Sequence, residues 1–105
     1  MANFVLVYRG GSGMASSPEE QQAAMEAWMN WFGSLGAAVV DPGAPFGPSA
    51  SIGPDGSTGN AGPSGLTGYS VVSADSVADA TTKAKGCPVL SDGGSVEIYE
   101  AIPVG

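Results

Sequence analysis

The segment from Asp41 to Gly68 constrains this chain more than any other feature, because it holds 13 of the 25 glycines and prolines in 28 residues. Ser, Thr, Asn and Asp fill much of the rest. A stretch of this kind can bury neither a continuous helix nor a central strand. The flanks on either side, 40 and 37 residues long, are each too short to fold comfortably alone. The expectation is therefore a single domain over residues 1–105, with a long loop at 41–68 inside it rather than a linker between domains. A domain this small buries a modest fraction of its surface, which makes self-association a reasonable expectation.

The flanks read as regular structure. Asn3 to Arg9 is a run of β-branched, aromatic and other apolar residues ending at Gly10 and Gly11, as a strand buried on both faces would be. Ser17-Pro18-Glu19-Glu20 then combines a capping serine, a proline at the first helical position and a glutamate three residues after the cap. Ala24, Met25, Trp28, Trp31, Phe32 and Leu35 continue at helical spacing to Gly36, predicting an amphipathic helix. Ala37 to Asp41 reads as a short strand stopped by Pro42. Beyond the loop, Gly68 to Ala74 alternates as a strand, and Asp75 or Ser76 can cap a second helix carrying Val77, Ala80, Thr81 and Ala84 on one side. Lys83 and Lys85 suit the end of that helix, Gly86 suits a left-handed cap and Pro88 blocks continuation. Ser95 to Ile102 alternates as a last strand.

Two βαβ units in about a hundred residues point to an α+β domain of ferredoxin-like βαββαβ order, a four-stranded antiparallel sheet with two helices on one face. The first two strands have apolar residues at successive positions, so the second sheet face is apolar and needs a cover. A second copy packed face to face across a twofold axis supplies it, and a homodimer is expected.

Composition removes several function classes. Three basic residues against ten acids give a net charge of −7, which opposes nucleic acid. No apolar run is long enough to span a membrane and the first ten residues lack the pattern of a signal peptide, so a soluble cytoplasmic protein without a membrane partner is expected. The chain has no His and one Cys, which rules out an internal disulfide and a Ser-His-acid triad, and no metal or cofactor is expected. Gly11-Ser12-Gly13 fails as a dinucleotide motif because Ser16 stands where a third glycine is needed. Asp55 to Asn60 resembles a calcium loop only faintly, since Leu66 takes the place of the twelfth-position Glu, and it reads as a polar turn. Cys87 follows a helix C-terminus, a setting that raises a thiol pKa and argues against a nucleophile.

Gly68-Tyr-Ser-Val-Val-Ser-Ala-Asp-Ser76, Ala84-Lys-Gly-Cys-Pro-Val-Leu90 and Gly93-Gly-Ser-Val-Glu-Ile98 resemble the C-terminal half of YCII-related domains. Leu6-Val-Tyr8, Ser17-Pro-Glu-Glu-Gln21 and Asp41-Pro-Gly-Ala-Pro-Phe46 are similar to that family's first strand, helix opening and loop entry. The resemblance implies a dimeric α+β barrel with a cleft between the first helix, the loop and the sheet. It also implies a small-molecule-binding dimer, with cofactor-independent lyase or isomerase chemistry in some relatives. Some members of the family place a His on the first helix and an Asp near the loop as an acid/base pair; this chain has Trp28 near the His position and keeps only carboxylates such as Asp41.

Two residues are candidates for catalysis. Asp41 ends a strand where a carboxylate could face a pocket and take a proton, the alternative being a turn-capping role. Arg9 is the sole arginine and could hold a ligand carboxylate by a planar two-point contact, the alternative being an exposed strand end. Tyr8 must face the side of the sheet opposite to Arg9. Tyr8, Trp28, Trp31, Phe46 and Tyr69 are candidates for walls of a site taking a small apolar or acidic ligand, with core packing as the competing role of the tryptophans. A non-catalytic module that binds a protein partner is the other class of function the chain fits.

Overall fold

The protein is described by a computed structural model over residues 1–10, 17–60, 65–91 and 93–103. Its elements run β1 (Ala2–Arg9), α1 (Pro18–Leu35), a 3₁₀ turn (Gly36–Ala38), β2 (Val39–Pro45), β3 (Ser51–Ile52), β4 (Thr58–Gly59), β5 (Leu66–Ala74), α2 (Val77–Ala84), α3 (Pro88–Ser91) and β6 (Ser95–Ala101). The architecture is α+β. Four strands form one sheet in the order β2-β5-β1-β6, every neighbouring pair antiparallel, and β3 and β4 make a separate two-stranded hairpin.

Period-two alternation sorts the central strands into two faces. Phe4, Leu6 and Tyr8 of β1 are buried beside Ser70, Val72 and Ala74 of β5, with Phe4 opposite Val72 and Leu6 opposite both Ser70 and Ile98. Trp31, Ala80, Ala84, Cys87 and Val89 from the helical segments join the same cluster, so the core lies between this face and the helices. Complete burial of side chains such as Phe4 and Leu6 stabilises by about 1.5–3 kcal/mol each. The opposite face carries half-buried Val5, Val7, Tyr69 and Val71, with Tyr99 more exposed.

Local chemistry explains the helix boundaries. The Ser17 hydroxyl accepts from the Glu20 amide at 3.2 Å, and Gly36 ends α1 with φ +57°, its N–H donating to the Phe32 carbonyl. Ser76, not Asp75, caps α2 by accepting from the Asp79 amide at 3.0 Å. The Asp79 carboxylate in turn accepts from the Asp75 amide and the Lys83 ammonium, and these contacts hold its pKa below the usual value.

Three expectations need correction. β2 does not stop at Pro42 but runs to Pro45, because it is an edge strand, where a missing amide hydrogen breaks no interior ladder bond. Its register shifts twice against β5, and Gly43 sits at φ +77° where a Cβ would lie 1.8 Å from the Tyr69 carbonyl oxygen. Gly86 does not adopt a left-handed conformation; a Cβ there would meet Trp31 Cδ1 at 3.1 Å, so close approach rather than φ explains the glycine. Pro88 lies beyond the end of α2 at Ala84, in line with its expected role, and also opens the separate single turn α3. On α1 the expected stripe is only partly used: Trp31 is buried and Trp28, Phe32 and Leu35 are half-buried, whereas Ala24 and Met25 are exposed.

The long Gly/Pro-rich segment is more ordered than composition suggests. The β3–β4 hairpin closes through Gly53 N–H to the Ser57 carbonyl at 2.7 Å, and Asp55 accepts from the Ser57 amide at 2.9 Å. Hydrogen bonds from the Ser57 hydroxyl and the Ser57 amide hold the Asp55 carboxyl below its usual pKa, as in a polar Asx turn. Residues 61–64 of the segment, and residues 11–16 with the Gly11-Ser12-Gly13 motif, lie outside the described residues.

Candidate functional site

A broad cleft of about 1380 Å³ opens between α1, the β2–β5 end of the sheet and α3. Its apolar wall comes from α1, where Ala24, Ala27, Trp28 and Trp31 recur at helical spacing beneath Glu20. Only the C-terminal turns of α1 pack on the core, so its exposed N-terminal half overhangs the opening. Across from it lie Tyr8, Gly68 and Ser70 on the sheet and Pro42 to Pro45 on β2.

The aromatic groups form one connected cluster. Trp28 meets Tyr8 edge to face at 5.1 Å between ring centroids, and Trp31 likewise at 5.7 Å. Phe32 packs against both indoles, at 5.8 Å from Trp28 and 5.0 Å from Trp31. The Trp31 indole N–H donates to the Lys83 carbonyl at 3.2 Å, which fixes this corner of the cleft to α2.

A buried hydroxyl relay forms the floor. Tyr8 donates to Ser70 Oγ at 2.7 Å, and Ser70 donates to the Pro42 carbonyl at 2.6 Å. Each hydroxyl proton is therefore committed in one direction. Burial raises the Tyr8 hydroxyl above its ordinary pKa, and burial also pushes the Cys87 thiol beside it up to about 11. Both groups are protonated at neutral pH, and Cys87 is not activated as a nucleophile. Gly68 is part of the same design, since a Cβ there would meet the Ala44 carbonyl at 3.1 Å and the Tyr8 ring at 3.5 Å.

The expected site residues divide between the two faces of the sheet. Tyr8, Trp28 and Trp31 line the cleft, whereas Tyr69 borders it along β5 and alternates with Ser70, so that its ring belongs to the open face. Phe46 stacks on Tyr69 at 5.9 Å and 19° between planes, pinning the chain after β2 to β5. Asp41 lies opposite Val71, accepts from the Gly43 amide at 2.9 Å as a turn residue, and accepts from the Tyr69 hydroxyl at 3.3 Å. Arg9 alternates with Tyr8 and points to the other face, where its Nε is 3.3 Å from Glu97 Oε1. Tyr99 donates to the same Glu97 oxygen at 3.0 Å, a bond that raises the Tyr99 pKa. Neither Asp41 nor Arg9 lines the cleft.

Sequence reasoning missed Ser70, Gly43 and Gly68. The signal for Ser70 is a hydroxyl at a strand position whose period-two neighbours, Val72 and Ala74, are buried; its partner Tyr8 appears only once the register is known. Among the described residues no group of three or more His, Cys, Asp or Glu is placed to hold a metal ion. No described helix is long and apolar enough to cross a membrane. No family model, curated protein or solved structure matches this chain.

Proposed function

We propose that this protein binds a small, largely apolar molecule in the cleft between α1 and the sheet, and that two copies pair through the open sheet face. The observation that carries the reading is the aromatic wall of Trp28, Trp31 and Tyr8 around a volume of about 1380 Å³, with a short row of polar groups at its floor. The strand order β2-β5-β1-β6 is the one a ferredoxin-like domain requires, which favours a YCII-like dimeric α+β barrel as the finer form of the fold.

Pairing is supported by surface area. The chain exposes 6803 Å². A compact monomer of its mass exposes about 5,400 Å². The excess exceeds the roughly 800 Å² per partner that a standard interface buries. Val5, Val7, Val71 and Tyr99 on the open face supply apolar material for such a contact.

A lyase or isomerase acting through Asp41 and Arg9 has less support. Asp41 serves a turn, Arg9 is paired with Glu97, and both stand away from the cleft. A second reading, a module that docks a protein partner, is favoured by Met25 and Met29, which are 65% and 68% exposed on α1.

The test is a titration with N-phenylnaphthylamine, a neutral apolar fluorophore, against the wild type and Ala24→Arg. The wild type is expected to bind saturably at one site per chain, and the variant, with a bulky charge in the cleft wall, to lose that binding while keeping its circular dichroism. Absence of saturable binding by the wild type sinks the ligand-binding reading and leaves the partner-docking one.

A further inference from the structure

The polar groups of the cleft point one way. Among the described residues, five lining side chains that can donate a hydrogen bond direct it to an acceptor within the protein. Tyr8 donates to Ser70, Ser70 to the Pro42 carbonyl, Thr67 to the Tyr8 carbonyl, Ser34 to the Trp31 carbonyl and Trp31 to the Lys83 carbonyl. The side-chain donors that remain on the described lining are the Trp28 indole and the exposed Asn30 and Ser91. No lysine or arginine lines the cleft among the described residues, whereas Glu20 does. Aromatic faces carry negative potential and Glu20 adds a carboxylate, so the surface offered to a ligand among the described residues is predominantly electron-rich.

We infer that the cleft selects an organic cation, an aromatic or alkyl ammonium, over a carboxylate, a phosphate or a neutral isostere. An anion entering here would give up its hydration with no cationic side chain and few donors to replace it. A bulky ammonium is weakly hydrated for its size, and it can meet the half-buried Trp28 ring on a wall that also carries the Glu20 carboxylate. The net charge of −7 acts in the same direction at longer range. Arg9, the residue that could have received an acidic ligand, is committed to Glu97 on the far face.

This inference rests on the ligand-binding reading above, and its test separates the two. Benzyltrimethylammonium, neopentylbenzene and phenylacetate share a ring and differ in charge. Each is titrated against the intrinsic fluorescence of Trp28 and Trp31, the only two tryptophans of the chain. The titrations are run in about half-molar salt, where the Debye length is about 4 Å and long-range attraction is suppressed.

The cation is expected to bind about tenfold more tightly than the neutral isostere, with the anion weakest. Trp28→Leu is expected to abolish the difference between cation and neutral probe while leaving the neutral probe bound. Glu20→Gln, on an exposed helical turn, is expected to reduce the cation's advantage about threefold and serves if Trp28→Leu does not fold. Equal binding of the three probes, or preference for phenylacetate, overturns the charge selectivity alone. Failure of all three to bind overturns it together with the cleft reading.

Discussion

The Trp31 indole nitrogen lies 3.2 Å from the Lys83 main-chain oxygen and donates to it across 52 residues of sequence. Among the last carbonyls of α2, those of Thr81 and Thr82 receive the Lys85 amide and that of Ala84 receives the Cys87 amide. Trp31 satisfies the one between them. It does so over Gly86, whose missing side chain admits the ring.

Gly86→Ala should therefore destabilise through Trp31 and not through its own backbone. The new methyl would meet Trp31 Cδ1 at 3.1 Å, and the loss should be about 1–2 kcal/mol in urea unfolding. In a Trp31→Phe background, which removes the five-membered ring, the same substitution should cost much less. Equal losses in both backgrounds would show that the two residues are uncoupled.

Gly43→Ala should be the more damaging glycine substitution. Its φ of +77° disfavours any side chain, and the Cβ would overlap the Tyr69 carbonyl. A loss of about 2–4 kcal/mol is expected, with β2 released from β5. Amide exchange should accelerate first along β2 and the β5 residues paired with it; uniform acceleration over the whole sheet would contradict this account.

The relay in the cleft predicts an asymmetry between its members. Tyr8→Phe removes one donor and leaves Ser70 bonded to Pro42, at a cost of about 1 kcal/mol. Ser70→Ala strips the buried Tyr8 hydroxyl of its acceptor and also leaves the Pro42 carbonyl without its donor, and should cost about 2–3 kcal/mol. Chemical denaturation of the two variants decides the order, and the reverse ranking would falsify the relay as drawn.

Alkaline pH should weaken the fold through Cys87. Burial favours the neutral thiol, so its pKa rises from 9.0 to about 11 on folding. The native chain therefore binds this proton more tightly than the unfolded chain. The resulting stability is complete below pH 9 and is lost as pH climbs towards 11, at about 1.4 kcal/mol per pH unit. The Tyr8 hydroxyl shifts in the same direction by the same cause. Urea midpoints measured from pH 7 to 11 should fall over that window, and less steeply for Cys87→Ala; an unchanged slope in the variant rules Cys87 out.

Pairing through the open face should break on Val7→Glu, which places a charge at the centre of β1 on that face. Sedimentation at micromolar concentration should show a dimer for the wild type and a monomer for the variant. A monomeric wild type removes the pairing proposal.

Features set by neighbours in sequence were legible beforehand. Ser17 with Glu20, Ser76 as one of two caps for α2, and the alternation of β5 and β6 all depend on contacts within a few residues. Features set by distant partners were not. Pro42 reads as a strand terminator until β2 is known to be an edge, and Gly86 reads as a helix cap until Trp31 is found above it. The same holds for the site. Alternation places Tyr8 and Arg9 on opposite faces, but which face receives α1 is decided by packing. The stripe on α1 looks like core throughout, and only the fold shows that its first half overhangs a cleft.

The position of β2 at the sheet edge has a consequence for solubility. Pro42 and Pro45 have no amide hydrogen to offer an incoming strand, and the irregular register of β2 denies it a straight template. At the other edge, β6 carries Glu97 and Glu100, which would face their own counterparts in a stacked copy. Growth into fibres by strand addition is hindered at both ends. A protein with so much exposed apolar surface can therefore stay dispersed at its edges while its faces remain available for specific contacts.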